Sequence, residues 1–403
     1  MEFISGGITA APGFLASGVR CGIRKNKVKR DLALILAEKP CDAAAVYTLN
    51  KVKAAPLLLT MEHLKDGKAR GIIVNSGNAN ACAPGGMEAA KATADAVAKE
   101  TGLKPEDFAI SSTGVIGVPL PVDVILEGVP ELVKLLAREN DHAAEAIMTT
   151  DTFPKDAAVT FMLGGKTVTM GAIAKGSGMI HPNMATMMAF ITTDCNIDST
   201  ILEEALRLSS ARTYNRVTVD GDCSTNDMAV VLANGIAGNR RITAKDEDYE
   251  IFLSALDAIN LKLAKAIAKD GEGATRLITA HVTGACSEDD AVMLAKSVVG
   301  SSLVKAAMFA PDANWGRVLA AMGYSGGEFN PDGVDVNFCS EGGKIAVCKD
   351  GAGLTFDEDL ALKILTQDEV TIEILLREGT SEAQAYGCDL TLDYVKINGS
   401  YRS

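Results

Sequence analysis

The chain contains no CxxC pair, only four His in 403 residues, and nine Cys scattered singly. That spacing offers no zinc site, and an odd number of dispersed thiols fits a reducing compartment. Basic charge is also short: 39 Lys and Arg against 52 Asp and Glu leave a net charge of -13. Such a surface argues against a sequence-independent grip on nucleic acid, whereas it mildly favours a cationic small substrate. No apolar run reaches membrane-spanning length. The N-terminal MEFISGGITAAPGFLASGVRCG has neither a basic start nor an unbroken apolar stretch, so no signal peptide is read. These absences predict a soluble, cytoplasmic protein with no metal, no membrane and no nucleic-acid partner.

What is present is ordinary globular composition, 47% hydrophobic and 23% charged, on a chain long enough for two or three domains. Strand-like and helix-like segments alternate. Gly71-Ile72-Ile73-Val74 reads as a short strand ending in a turn at Asn75-Ser76-Gly77-Asn78. Residues 87–100 (MEAAKATADAVAKE) read as a helix stopping at Gly102, and 107–110 lead into Ser111-Ser112-Thr113-Gly114. Residues 157–170 form a hairpin pattern around Gly164-Gly165. Gly165-Lys166-Thr167 imitates a phosphate loop, but Thr160 stands where the earlier Gly is required.

Phe252, Leu256, Ile259, Leu263 and Ile267 make one apolar stripe on a helix over 246–269, which leaves Glu272 in the loop beyond Gly271. Ser287 with Asp290 predicts a capped helix running to Gly300, and Trp315 a helix start. Residues 370–376 and 390–397 read as β-type runs. With no linker and no repeat, the expectation is one α/β unit with long insertions.

The stretch KGSGMIHPNMATMMAFITTD, 175–194, carries the main chemical question. Thr186 sits between a bending Gly- and Pro-containing half and a buried apolar half. Packing is the plain reading of a Thr among Met residues. The alternative uses small Ala185, whose carbonyl is open to attack by the Thr186 hydroxyl. An acyl shift and chain cleavage would then leave an N-terminal Thr with its own amine as general base. Ser112-Thr113-Gly114 is either a polar turn or an oxyanion hole made of the Thr113 hydroxyl and the Gly114 N–H. Lys175 is either a solvated Lys or an anion holder. In TVDGDCSTND, 218–227, Thr225 replaces the Gly of a calcium loop, so a hydrogen-bonded turn is expected. His181, without a partner in sequence, reads as structural.

KGSGMIHPNMATM, SSTGVIG, NSGNANAC, TVDGDCSTND and APDANWGR together resemble the ornithine acetyltransferases of arginine biosynthesis. The similarity runs from FISGGITAAPGF to INGSYRS. The resemblance implies an α/β fold of layered sheets flanked by helices, built from two self-cleaved chains, 1–185 and 186–403. It implies cleavage between Ala185 and Thr186, Thr186 as nucleophile, and an oxyanion hole at Thr113 and Gly114. It also implies substrate contacts from Thr152, Lys175, Thr186, Glu272, Asn398 and Ser403, with Thr149 and Thr150 as neighbours of Thr152 that leave its assignment open. The implied reaction is a ping-pong transfer of acetyl from N2-acetylornithine to glutamate. No cofactor is implied, acetyl-CoA is a candidate co-substrate, and a heterotetramer of two α and two β chains is the implied assembly. Two rivals follow from the residues: an N-terminal-nucleophile amidase or aminopeptidase, and a non-catalytic protein that binds a small metabolite.

Overall fold

The computed structural model describes residues 1–24, 28–138, 142–181 and 187–399. Nine strands in them build one mixed sheet: β1 (Glu2–Ile4), β2 (Phe14–Val19), β3 (Leu32–Tyr47), β4 (Lys68–Asn78), β5 (Phe108–Val115), β6 (Lys155–Leu163), β7 (Lys166–Lys175), β8 (Met188–Thr193) and β9 (Met228–Ala233). Their order is β1-β6-β7-β8-β9-β3-β4-β5, with β2 paired to β3. The helices of this part are α1 (Ala55–His63), α2 (Gly86–Thr101), α3 (Val122–Lys134), α4 (His142–Ala146), α5 (Ser199–Arg212) and α6 (Glu247–Lys269).

The two-residue alternation of a strand sorts side chains into two cores. Leu34 and Ile73 pack with Ala90, Ala94 and Val97 of α2 and Ile125 and Val129 of α3. Ile35, Ile72 and Val74 point the other way and meet Phe190, Val230 and Leu232 from β8 and β9. Covered on both faces, β8 is buried at every position, its apolar run Met188–Ile191 followed by two buried threonines, Thr192 and Thr193.

Four sequence expectations hold here. Residues 87–100 lie within α2, the apolar stripe of α6 is fully buried, and β6 and β7 form a hairpin. Gly164 and Gly165 both take positive φ, 54° and 78°, as a tight hairpin turn needs; Gly165-Lys166-Thr167 is therefore not a phosphate loop. Two expectations fail. Ser112-Thr113-Gly114, expected as a turn after a strand, lies within β5 because its pairing with β4 continues through Gly114. Asn75-Ser76-Gly77-Asn78 is not a turn but the end of β4, because the parallel partner β5 carries the pairing on to Asn78. Gly77 marks an irregularity in that ladder instead.

A second sheet has the order β13-β12-β11-β14-β10-β15, formed by β10 (Leu277–Ala285), β11 (Asp335–Ser340), β12 (Gly343–Lys349), β13 (Ala352–Gly353), β14 (Glu369–Leu375) and β15 (Ser381–Cys388). Its helices are α7 (Glu288–Gly300), α8 (Ser302–Phe309), α9 (Trp315–Gly323), α10 (Glu358–Leu365) and α11 (Leu392–Gly399). Leu294 and Val298 of α7 pack on Ile278 and Val282 of β10 and Ile372 and Ile374 of β14. Ser287 caps α7 by accepting the Asp290 N–H at 3.1 Å, and α9 starts at Trp315.

Two corrections follow. Residues 390–397, read as a strand, contribute instead to α11. Strand propensity measures fit to a pleated, half-buried surface; Leu392 and Val395 are 71% and 67% exposed and face no such surface. Nor is the chain one unit. It divides into Met1–Gly176, Pro182–Asn215 and Cys223–Leu263 on one side, and Ser177–His181, Arg216–Asp222 and Ala264–Ser403 on the other. Each unit holds its own sheet and its own apolar core. Among the described residues no single helix is long and apolar enough to cross a membrane.

Candidate active site

Lys175 ends β7 and is only 7% exposed. Its Nζ lies 3.9 Å from Asp151 Oδ2, while Lys155 Nζ donates to Asp151 Oδ1 at 2.7 Å. Two backbone N–H groups, of Thr149 at 2.9 Å and Gly176 at 2.8 Å, also donate to Asp151. Burial opposes a charge on Asp151, but Lys175, Lys155 and these hydrogen bonds outweigh it and hold the carboxyl below the usual carboxylate range. A buried cation thus stands at the strand end that leads into KGSGMIHPNMATM. Thr152, next to Asp151, is exposed, whereas Thr149 is engaged by Asp151.

Thr113 and Gly114 lie at the end of β5, opposite Ser76 and Gly77 of β4. Gly114 has φ +134°, and a Cβ there would fall 2.3 Å from the Gly77 carbonyl carbon and 2.5 Å from Asn78 N. Only Gly fits both the angle and the approach. Thr113 is 9% exposed. A hydroxyl and a Gly N–H on a strand end fixed in this way have the chemistry of an oxyanion hole.

Just before β9, Asn226 and Asp227 are both 4% exposed. Burial drives the Asp227 carboxyl well above the usual range, against hydrogen bonds from Ser224 and the charge of Lys175. Its Oδ2 has no hydrogen-bond partner.

In the second unit, Ser177–His181 is pinned by side chains and backbone together. Ser177 Oγ donates to Asp270 O at 2.6 Å, and the Glu272 N–H to Ser177 O at 3.0 Å. Asp220 accepts the N–H of Met179 at 2.7 Å and of Ile180 at 2.8 Å. Met179 is left-handed, with φ 56°, a strained conformation for a Met. His181 Nδ1 lies 2.9 Å from Thr218 Oγ1. Burial, then Lys296, lowers His181 to about 4 against the pull of Asp220. It is therefore neutral at pH 7, in keeping with its structural reading. Glu272 is 7% exposed and accepts from Asn398 Nδ2 at 2.7 Å. Tyr394, on the same helix α11, donates to Asp220 at 3.3 Å.

Of the residues expected at the site, Lys175, Thr152, Thr113 and Gly114 belong to the first unit and Glu272 and Asn398 to the second. Ala185, Thr186 and Ser403 lie outside the described residues. Sequence reasoning missed Asp151, although Lys155 follows it by one helical turn's spacing. It took TVDGDCSTND only as a turn. Asp220 does serve a turn, accepting the Asp222 N–H at 3.3 Å, but it also holds Met179 and Ile180, and Asn226 reaches Ala79 and Ser112. Among the described residues no group of three or more His, Cys, Asp or Glu could hold a metal ion.

A profile of the ArgJ family matches residues 15–403. The arginine biosynthesis bifunctional protein ArgJ 1 of Clostridium acetobutylicum is 53% identical, over 98% of this chain and 97% of its own. The arginine biosynthesis bifunctional protein ArgJ of Symbiobacterium thermophilum is 52% identical over the full length of both. A crystal structure of the arginine biosynthesis bifunctional protein argJ from Bacillus halodurans is 46% identical, with a TM-score of 0.50. It covers 53% of this chain and 98% of the solved one. The chain belongs to the ArgJ family, the ornithine acetyltransferases of arginine biosynthesis.

Proposed function

We propose that the chain cleaves itself between Ala185 and Thr186 and then transfers acetyl from N2-acetylornithine to glutamate. The observation that carries this reading is the family match across residues 15–403. A further support is length: the solved relative is matched almost completely over 53% of this chain, close to the share that 186–403 represents.

In the first half-reaction, Thr186 Oγ attacks the acetyl carbonyl and passes its proton to the Thr186 α-amine. Thr113 and Gly114 stabilise the tetrahedral oxyanion, each donor being worth about 2.7–4 kcal/mol in comparable sites. The C–N bond breaks, ornithine leaves with that proton, and acetyl remains as an ester on Thr186. In the second half, the α-amine of glutamate attacks the ester, N-acetylglutamate departs and Thr186 Oγ is reprotonated. Lys175, charged and buried, suits a substrate carboxylate. Glu272 suits an ammonium of ornithine or the acceptor amine. Thr152, Asn398 and Ser403 complete the proposed contacts. No cofactor is used, the products 1–185 and 186–403 pair as a heterotetramer, and the enzyme works in the cytoplasm. The word bifunctional in the relatives' names supports acetyl-CoA as a second donor.

Intact mass of the freshly purified protein beside Thr186→Ala tests the reading. Two fragments meeting at 185/186 in the parent and one full-length chain in the variant are expected; an uncut parent overturns it. Acetyl transfer between N2-acetylornithine and glutamate is then assayed, with release of free acetate in the absence of glutamate as the sign of a hydrolase. Acetyl-CoA with glutamate alone tests the second donor.

A further inference from the structure

Where β4 and β5 end, two backbones come closer than side chains allow. Gly114 meets Gly77 with no room for a Cβ. Beyond this contact the chains remain tied, with the Ala79 N–H donating to Val115 O and the Gly117 N–H to Ala81 O, both at 2.9 Å. Ahead of it, Ser112 Oγ donates to Asn75 Oδ1 at 2.5 Å. Two carbonyls flanking the contact, Ala79 O and Ser112 O, receive one further donor, and it comes from neither strand. Asn226 Nδ2, two residues before β9, donates to Ala79 O at 2.6 Å and to Ser112 O at 2.8 Å. Its Oδ1 accepts the Thr225 hydroxyl at 2.5 Å.

A primary amide has two N–H donors, and here both are spent on main-chain oxygens 33 positions apart in sequence. The opposite orientation of the amide would set its oxygen against two carbonyls, so the donors face inward. Ser112 immediately precedes Thr113, and Ala79 immediately follows the strand that Gly114 abuts.

We infer that Asn226 is a positioning residue for the oxyanion-binding pair Thr113 and Gly114, its side-chain amide fixing the spacing between the end of β4 and the end of β5 that carries that pair. The inference rests on the reading of Thr113 and Gly114 as the oxyanion hole of acetyl transfer. Donors aimed at a developing charge act only when held in place, and a misplacement of about 1 Å costs about 10²-fold in rate. Loss of the Asn226 amide leaves both carbonyls without that donor and lets β4 and β5 relax apart at this end. The effect falls on the transition state, and ground-state binding of substrate is untouched.

The test is steady-state kinetics of acetyl transfer by Asn226→Ala and Asn226→Asp beside the parent and Thr60→Val. Thr60 of α1 exchanges hydrogen bonds with Ile110 of β5 at 2.7 Å each way, away from the strand end that carries Thr113 and Gly114. It therefore reports simple loosening of β5. The expected result is a fall in kcat of about 10²-fold for both Asn226 variants with KM within threefold. Thr60→Val is expected to lower the unfolding midpoint and keep kcat within threefold. If Asn226→Ala does not fold, Asn226→Asp, of the same size without the donors, gives the result. Parental kcat in a folded Asn226 variant overturns the inference alone. An equal loss of kcat in Thr60→Val also overturns it, reducing the amide to strand stability. A parent without acetyl transfer overturns the functional reading, and the inference with it.

Discussion

The Asn398 amide donates to the Glu272 carboxylate at 2.7 Å, and the carboxylate fits because residue 178 is Gly. A Cβ at Gly178 would lie 2.3 Å from Glu272 Cδ and 2.4 Å from both carboxylate oxygens. Two variants separate orientation from presence. Asn398→Ala removes one hydrogen bond to a charged group, worth about 1.5–3 kcal/mol. It is expected to raise KM for N2-acetylornithine about tenfold or more with kcat little changed. Gly178→Ala displaces Glu272 itself and is expected to lower kcat and raise KM together. Initial-rate measurements check both; a parental KM in Asn398→Ala would show that Glu272 needs no such partner.

Gly114→Ala tests the backbone rather than the chemistry. The variant carries a strained positive φ and a methyl overlapping the Gly77–Asn78 peptide. Strain and overpacking are each worth about 1–3 kcal/mol, so a loss of about 3 kcal/mol in urea unfolding is expected. Acetyl transfer should fall by more than that stability loss explains.

Asp151 is buried between Lys155 and Lys175. Asp151→Asn leaves buried cations without their counter-charge, and a loss of about 3–5 kcal/mol is expected. Pairing it with Lys155→Met should restore part of the loss. The parent's own dependence on pH has a definite sign. The Asp151 carboxyl is held below its unfolded value of 3.8, so its contribution is full above that pH and fades as pH falls below it. The slope of unfolding free energy against pH below 3.8 should be shallower in Asp151→Asn.

His181 acts with the same sign in a higher pH window. Its folded value is lowered from 6.5 to about 4, so the unfolded chain takes up a proton before the folded one does. Stability from this group is complete above pH 6.5 and declines as pH falls from 6.5 towards 4. His181→Asn should lose less than the parent across that window, as read from thermal unfolding at several pH values. Equal slopes would mean that His181 is not held neutral.

The sequence made the long elements legible where one period dominates. The stripe from Phe252 to Ile267 predicts α6, and paired Gly164 and Gly165 predict the β6–β7 turn. It misled where composition and context part company. Asn75-Ser76-Gly77-Asn78 has turn residues, yet a parallel neighbour paid their hydrogen bonds and kept them in β4. Residues 392–399 have strand-like residues without a sheet to join. Among the candidate site residues, Lys175 and Asn398 lie in quoted motifs, KGSGMIHPNMATM and INGSYRS, whereas Glu272 is named only by what the resemblance implies. Asp220 and Asn226 were out of reach for a physical reason: they bond to distant positions, Asp220 to Met179 and Asn226 to Ala79, which no local spacing encodes, whereas Asp151, bonded to Lys155 four positions on, had a local signal that went unread.

The placement of β8 between β7 and β9 sets what self-cleavage at 185/186 would do to the molecule. β7 belongs to the segment before that bond and β8 to the segment after it. The two are laced by an antiparallel ladder from Met170↔Thr193 to Lys175↔Met188. β9, also after the bond, is laced to β3 from before it. Severing the peptide would change covalent connectivity and leave the weave intact, so the halves would part only by unravelling a shared sheet. Maturation of such a chain resembles cutting a thread inside finished cloth: the new end is freed for chemistry while the fabric around it holds.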